Sequence, residues 1–211
     1  MRKKMQILAT SNSQACQESF VLNVLNWKRA GTYVEIGAFH AFEISNTSRL
    51  EKEFGWVGVA FEIDASRVQA YNQLRDNKCI LGDATLIDYQ MIFDQLQLPD
   101  SIDYLQIDIE PSRNSFKALI KILKSDRKFK VVTFEHDAFV NTVSKFVRML
   151  SRVALYANGY SLAIGNVSND GAPDSPFEDW WIHRSILSEI VDPEKFHSWG
   201  KVNLAKDFFN S

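Results

Sequence analysis

Between residues 33 and 136 the chain alternates short β-rich runs with helical patterns. The runs are 33–37 (YVEIG), 57–62 (VGVAFE), 79–82 (CILG), 102–108 (IDYLQID) and 130–135 (KVVTFE), each closing on a glycine or an acid. Helices are expected between them at about 45–54, 65–76, 87–97 and 112–124. In the last, Phe116, Leu119, Ile120 and Leu123 recur at helical intervals, and in the first Ser48 and Glu51 are spaced as a capping box. This rhythm predicts a parallel sheet with helices on both faces. A long amphipathic helix from 140 to 157 follows, stopped by Asn158-Gly159. The runs 160–164 and 177–182 then face each other across the loop 169–176 (NDGAPDSP), with no room for a helix, so they are expected to form an antiparallel hairpin. Trp180 and Trp181 alternate along that strand, which predicts one in the core and the other exposed or lining a pocket. Helical segments at 14–28 and from 186 onward flank the core.

Composition adds bounds to that picture. With 211 residues the chain suits one domain, 1–211, whose core runs from about 30 to 183. An apolar fraction of 45% and a net charge of −2 exclude disorder and any bulk attraction to polyanions. Cys16 and Cys79 are the only cysteines, too few for a disulfide framework or a thiolate zinc site. The apolar run after Arg2-Lys3-Lys4 is broken by Gln6, so no export signal is read, and no apolar stretch reaches 18 residues. A cytoplasmic location is expected.

In an open parallel sheet, ligands bind outside the carboxyl ends of the strands, and five successive strands here deliver acids to that rim. Glu35 and Gly37 close the first, Glu62 and Asp64 the second, Asp83 follows the third, Asp108 and Glu110 the fourth, and Glu135, His136 and Asp137 the fifth. Asp64 reads as a cap of the helix that follows. Glu62 lies 25 residues beyond Gly37, where a carboxylate reaches the hydroxyls of a nucleoside ribose. Asp83 either takes the amine of adenine or caps a helix. The first loop has one glycine, Gly37-Ala-Phe-His-Ala-Phe42, where a pyrophosphate-binding turn needs three, and Glu35 beside it would repel a pyrophosphate. An acid there suits an ammonium or sulfonium group. Adenosine carrying a positive centre describes S-adenosylmethionine (SAM).

The strings VEIGA (34–38), ISNT (44–47), LEKEFGW and GVAFE (50–56 and 58–62), DYLQIDIE (103–110) and VTFEHD (132–137) resemble the FkbM-type branch of the class I SAM-dependent methyltransferases, as do the later NV (166–167) and PFEDWW (176–181). The resemblance implies an α/β, Rossmann-like fold with a mostly parallel seven-stranded sheet in the order 3-2-1-4-5-7-6 and a C-terminal antiparallel hairpin. It also implies that Glu35, Gly37 and Ala38 line the methionine part of SAM, that Glu62 holds the ribose, and that Asp83 with Ala84 meets the adenine. The acceptor it suggests is a hydroxyl on a sugar, glycan or small metabolite.

Methylating a hydroxyl requires removal of its proton, by a positioned base or by a divalent metal that acidifies the oxygen. Asp108, Glu135 and His136 are the expected catalytic residues. As ligands they would suit Mg²⁺ or Mn²⁺, with His136 as a metal-free base, or as a packed histidine, the competing readings. His40 in the glycine loop could approach SAM or substrate, or simply be exposed. From Arg113 to Lys130 seven basic residues face one acid, Asp126, and are read as a solvated helix face because no aromatics interleave them. The expected partner is a small-molecule or glycan acceptor, and neither nucleic acid nor a membrane. Two rivals stand: a SAM-fold binding module without catalysis, suggested by the altered loop, and a nucleotide-dependent oxidoreductase, disfavoured by the missing glycines.

Overall fold

The computed structural model describes residues 11–169, 174–189 and 203–204. Five strands run parallel: β1 (Thr32–Ile36), β2 (Val57–Glu62), β3 (Lys78–Leu81), β4 (Ser101–Ile107) and β5 (Lys128–Glu135). Beyond β5 come β6 (Tyr160–Ser168) and β7 (Glu178–His183), and β7 lies antiparallel to both β5 and β6. The order is β3-β2-β1-β4-β5-β7-β6, as expected, with a two-residue β8 (Asn203–Leu204) added parallel to β6 at the edge.

Helices α1 (Gln17–Val24), α2 (Ser48–Phe54), α3 (Ala65–Leu74), α4 (Tyr89–Gln95), α5 (Ser112–Ile122) and α6 (Thr142–Ala157) complete the described fold, with a 3₁₀ turn at Arg184–Glu189. Alternation along each strand divides the core in two. Tyr33, Tyr104, Val131 and Trp180 meet Phe20 of α1 on one face, while Val34, Leu105, Val132 and Trp181 meet Leu119 of α5 and Leu155 of α6 on the other. Both tryptophans are therefore fully buried, against the expectation of one in the core and the other exposed or lining a pocket, because β7 is an interior strand covered on both sides.

Two local expectations change. The first helix is only Gln17–Val24, bounded by left-handed backbone at Cys16 on one side and at Asn26 and Trp27 on the other. The capping box does not form: Thr47 occupies the N-cap of α2, its hydroxyl donates to Glu35 Oε2 at 2.7 Å, and Glu51 turns inward to the Arg75 guanidinium at 2.7 Å. Burial of Arg75 decides this, since a buried guanidinium without a carboxylate costs several kcal/mol, on the order of 3–5, against about 1 for a cap. Asp64 does cap α3, accepting from the amides of Ser66 and Arg67. The middle of the hairpin loop, 170–173, and any helix after 189 lie outside the described residues.

Candidate active site

The strand order reverses between β1 and β4, so the crevice at their carboxyl ends is where a ligand would enter. On the β1–β2 side the polar groups are mostly bound by backbone and side-chain partners. Gly37 has φ +88° and sits so close to β4 that a Cβ would stand 1.8 Å from the Asp108 carbonyl oxygen; only glycine fits. The amides of Gly37 and Ala38 both donate to the Phe61 carbonyl, which locks the loop to β2. Glu62 accepts from Ile63 N at 2.9 Å and Asp64 N at 3.0 Å through Oε1, and from Phe39 N at 3.0 Å through Oε2. A carboxylate has about four acceptor positions, so one remains on Oε2, beside the loop. Above it, Arg67 stacks on the Phe39 ring at 4.1 Å, and His40 meets the ring edge-on.

Of the remaining residues expected to meet SAM, Glu35, Ala38 and Ala84 are buried and Asp83 is half-exposed. Glu35 is 2% exposed, held by Thr47 beneath the loop; burial pushes its carboxyl up to about 7, against the nearby Arg75 charge. It can act on a ligand through its charge and not by contact. The side chains of Ala38 and Ala84 are buried, and the Ala84 carbonyl accepts from the Tyr89 hydroxyl. Asp83 Oδ1 takes both the hydroxyl and the amide of Thr85, and these bonds hold its carboxyl below the usual range.

The β4–β5 side has a different character. Asp108, Glu135 and Asp137 are half-buried together at the rim, with Glu135 beside both of the others. Burial raises all three carboxyls, Asp108 to about 6 and Glu135 well above the usual range, and mutual repulsion with Glu110 adds to the rise in Asp108 and Asp137. Buried side by side, Asp108 and Glu135 cannot both ionise readily, so the pair holds a proton above the range where ordinary carboxyls lose theirs. Beside them a cavity of about 660 Å³ opens between the loops that follow β4 and β5, lined by Glu110, Pro111, Arg113, Asp137, Val140 and Asn141, among others. Its walls are tied together by the Ser112 and Ser144 hydroxyls, 3.0 Å apart at the starts of α5 and α6.

His136 does not join this group. Its ring lies on the other face of the sheet from Glu135, fully buried, with Nδ1 accepting from Ala138 N at 3.1 Å and Nε2 facing Asp179 Oδ1 at 3.4 Å. Asp179 is held in turn by Arg152, at 2.7 and 2.8 Å. The expected Asp108–Glu135–His136 unit is corrected by strand alternation, which sends neighbours 135 and 136 to opposite faces. Among the described residues, no group of three or more His, Cys, Asp and Glu is arranged to hold a metal ion. Two acids were missed. Asp137 stands in the rim list but was given no role. Glu178, 1% exposed on β7 directly across from Glu135, accepts from Gln17 and Trp180 through Oε2 and leaves Oε1 without a partner among the described residues. Burial lifts its carboxyl to about 8.

No family model matches the sequence, and no curated protein does. Solved structures do match. An O-methyltransferase from Bacillus cereus in complex with SAH (S-adenosylhomocysteine) is 14% identical, with 84% of each chain covered and a TM-score of 0.56. An rRNA methylase from Streptococcus thermophilus is 11% identical, with 79% of this chain and 93% of that one covered and a TM-score of 0.50. The likeness at these identities is one of fold: the Rossmann-like fold of the class I SAM-dependent methyltransferases.

Proposed function

We propose that this chain transfers the methyl group of SAM to a hydroxyl on a sugar, glycan or small metabolite, and that it belongs with the FkbM-type enzymes its motifs resemble. The observation that carries the reading is the pairing of two unlike rims across the point where strand order reverses. One has a fixed carboxylate with an acceptor to spare, and the other has carboxyls that share protons beside a cavity.

SAM, when bound, supplies an electrophilic methyl group on a positively charged sulfur. Glu62 fits the ribose, because its free acceptor position on Oε2 can take a hydroxyl without breaking the three amide bonds that hold it. The acceptor enters by the cavity between the β4 and β5 loops. There Asp108 takes the hydroxyl proton as the oxygen bonds to the methyl carbon, and the carbon–sulfur electron pair stays on sulfur, giving the ether and S-adenosylhomocysteine. Glu135 keeps its own proton and shares it with Asp108 in a hydrogen bond, which favours the Asp108 anion. The residues do not fit a metal-assisted route, since His136 faces Asp179 and not the carboxyls. The acceptor is read as a small or carbohydrate molecule, with neither a nucleic acid nor a membrane as partner. Among the described residues no helix is long and apolar enough to cross a membrane.

Production of S-adenosylhomocysteine from SAM across a panel of hydroxylated sugars and metabolites tests the reading. Turnover with at least one acceptor, lost in Asp108→Asn, supports it; binding of SAM with no transfer to any would favour the binding module.

A further inference from the structure

α6 buries Ser144, Val147, Ser151 and Leu155 against the sheet, yet its opposite side is also apolar. Val143, Phe146, Met149, Val153 and Tyr156, with Val140 just before the helix, are between 49% and 63% exposed. At 100° per residue the five helical ones fall within one arc of about 140°, and no charged side chain lies inside it. An ordinary amphipathic helix has one apolar stripe; this one has two. Taking about 150–250 Å² for a large side chain, the five arc residues expose roughly 400–700 Å². The largest apolar patch on a monomer is about 300–600 Å², and a stable interface takes about 800 Å² from each partner.

We infer that this arc is a self-association surface, on which α6 of a second copy packs antiparallel about a two-fold axis. The spacing favours a helix as the occupant: Val143, Phe146, Leu150, Val153 and Ala157 follow steps of 3, 4, 3 and 4, the repeat that lets side chains of one helix seat in the grooves of another. The charges favour a second copy. No residue of the arc is itself charged, and the one cation seen on it, Arg184 stacked on Tyr156 at 4.4 Å, sits at the far end of the helix, where antiparallel pairing keeps it well away from its own copy; the basic residues of the helix are turned away. Arg148 is held by Asn166 at 2.7 Å, and Arg152 by Asp179. Lys145, the other basic residue of the helix, lies outside the arc. A two-fold pairing uses the same patch twice and closes on itself. The arc also begins at the cavity, since Val140 and Val143 line it, so the second copy would stand beside the acceptor entrance. The inference is independent of the methyl-transfer reading.

Light scattering coupled to size exclusion on the full chain tests it. The expected mass is twice 24.2 kDa, falling to the single-chain value in the double variant Phe146→Glu, Val153→Glu, with far-UV circular dichroism unchanged. A second variant guards against misfolding. Met149→Cys sits at the helix midpoint, next to the axis, and should give an oxidised covalent dimer that the wild type, with Cys16 and Cys79 alone, does not. A monomeric wild type would overturn the inference, and if that monomer sedimented with phospholipid vesicles the arc would be a lipid-facing surface instead. A dimer that neither yields the Met149→Cys cross-link nor dissociates in the double variant would place the interface elsewhere and equally overturn it.

Discussion

Glu62 and Glu135 are both glutamates that end parallel strands of one sheet, and they live in opposite circumstances. Glu62 is surrounded by donors: three backbone amides point at it because the chain turns sharply after β2 and the glycine loop folds back across it. Glu135 is surrounded by acceptors, with Asp108 and Asp137 hydrogen-bonded to it and Glu178 opposite on β7. The first environment spends its donors on holding a charge in place. The second cannot hold all its charges and must keep protons instead. A donor-bound carboxylate and a proton-keeping acid are thus made from the same residue type by what the neighbouring loops point at it.

The largest expected effect lies on the proton-keeping side. Asp108→Asn should lower the methyl-transfer rate by about 10² to 10⁴, and the limb of the pH–rate profile near pH 6 should vanish with it. His136→Asn should keep that limb, since its ring belongs to the Asp179–Arg152 cluster on the other face. Loss of the limb in His136→Asn and its survival in Asp108→Asn would exchange their roles.

The junction between the two rims comes next. Gly37→Ala forces a side chain to positive φ and against the Asp108 carbonyl, which should cost about 2–5 kcal/mol. A fall in Tm of several degrees checks it, and an unchanged Tm would mean the two rims are not in contact there.

A smaller effect is the dependence of stability on pH. Glu35 and Glu178 have folded values near 7 and 8, above the usual carboxyl range, so the folded chain binds more protons than the unfolded one between about pH 4.3 and those values. Stability contributed by these groups is present below that interval and lost as pH rises through it. Tm should therefore fall between pH 5 and pH 8, and Glu178→Gln, which cannot ionise, should flatten the fall. A Tm that rises over that range would reverse the assignment of buried, proton-keeping acids.

Much of this frame was legible in the chain. Hydrophobic runs closing on glycine or acid give the five parallel strands, and the short spacing after Tyr160 gives the hairpin. Strand ends at 62, 83, 108 and 135 put the acids on the rim. Period-two alternation alone separates His136 from Glu135, and the structure puts its ring beside Asp179, in line with the packed-histidine alternative. Other features have no local signal. Glu51 looks like a helix cap until the fold buries Arg75 beside it, and Glu178 joins the rim only because β7 inserts antiparallel between β5 and β6. Neither pairing is visible along the sequence, since each joins residues that folding alone brings together.

Calorimetric titration of SAM into the wild type, Glu62→Ala and Asp108→Ala separates the two rims without knowledge of the acceptor. If one rim binds and the other reacts, the wild type binds SAM, Glu62→Ala loses about 1.5–3 kcal/mol of affinity, roughly 10- to 150-fold in Kd, and Asp108→Ala binds as the wild type does. Equal loss in both variants, or no loss in Glu62→Ala, would contradict the division of labour on which the account rests.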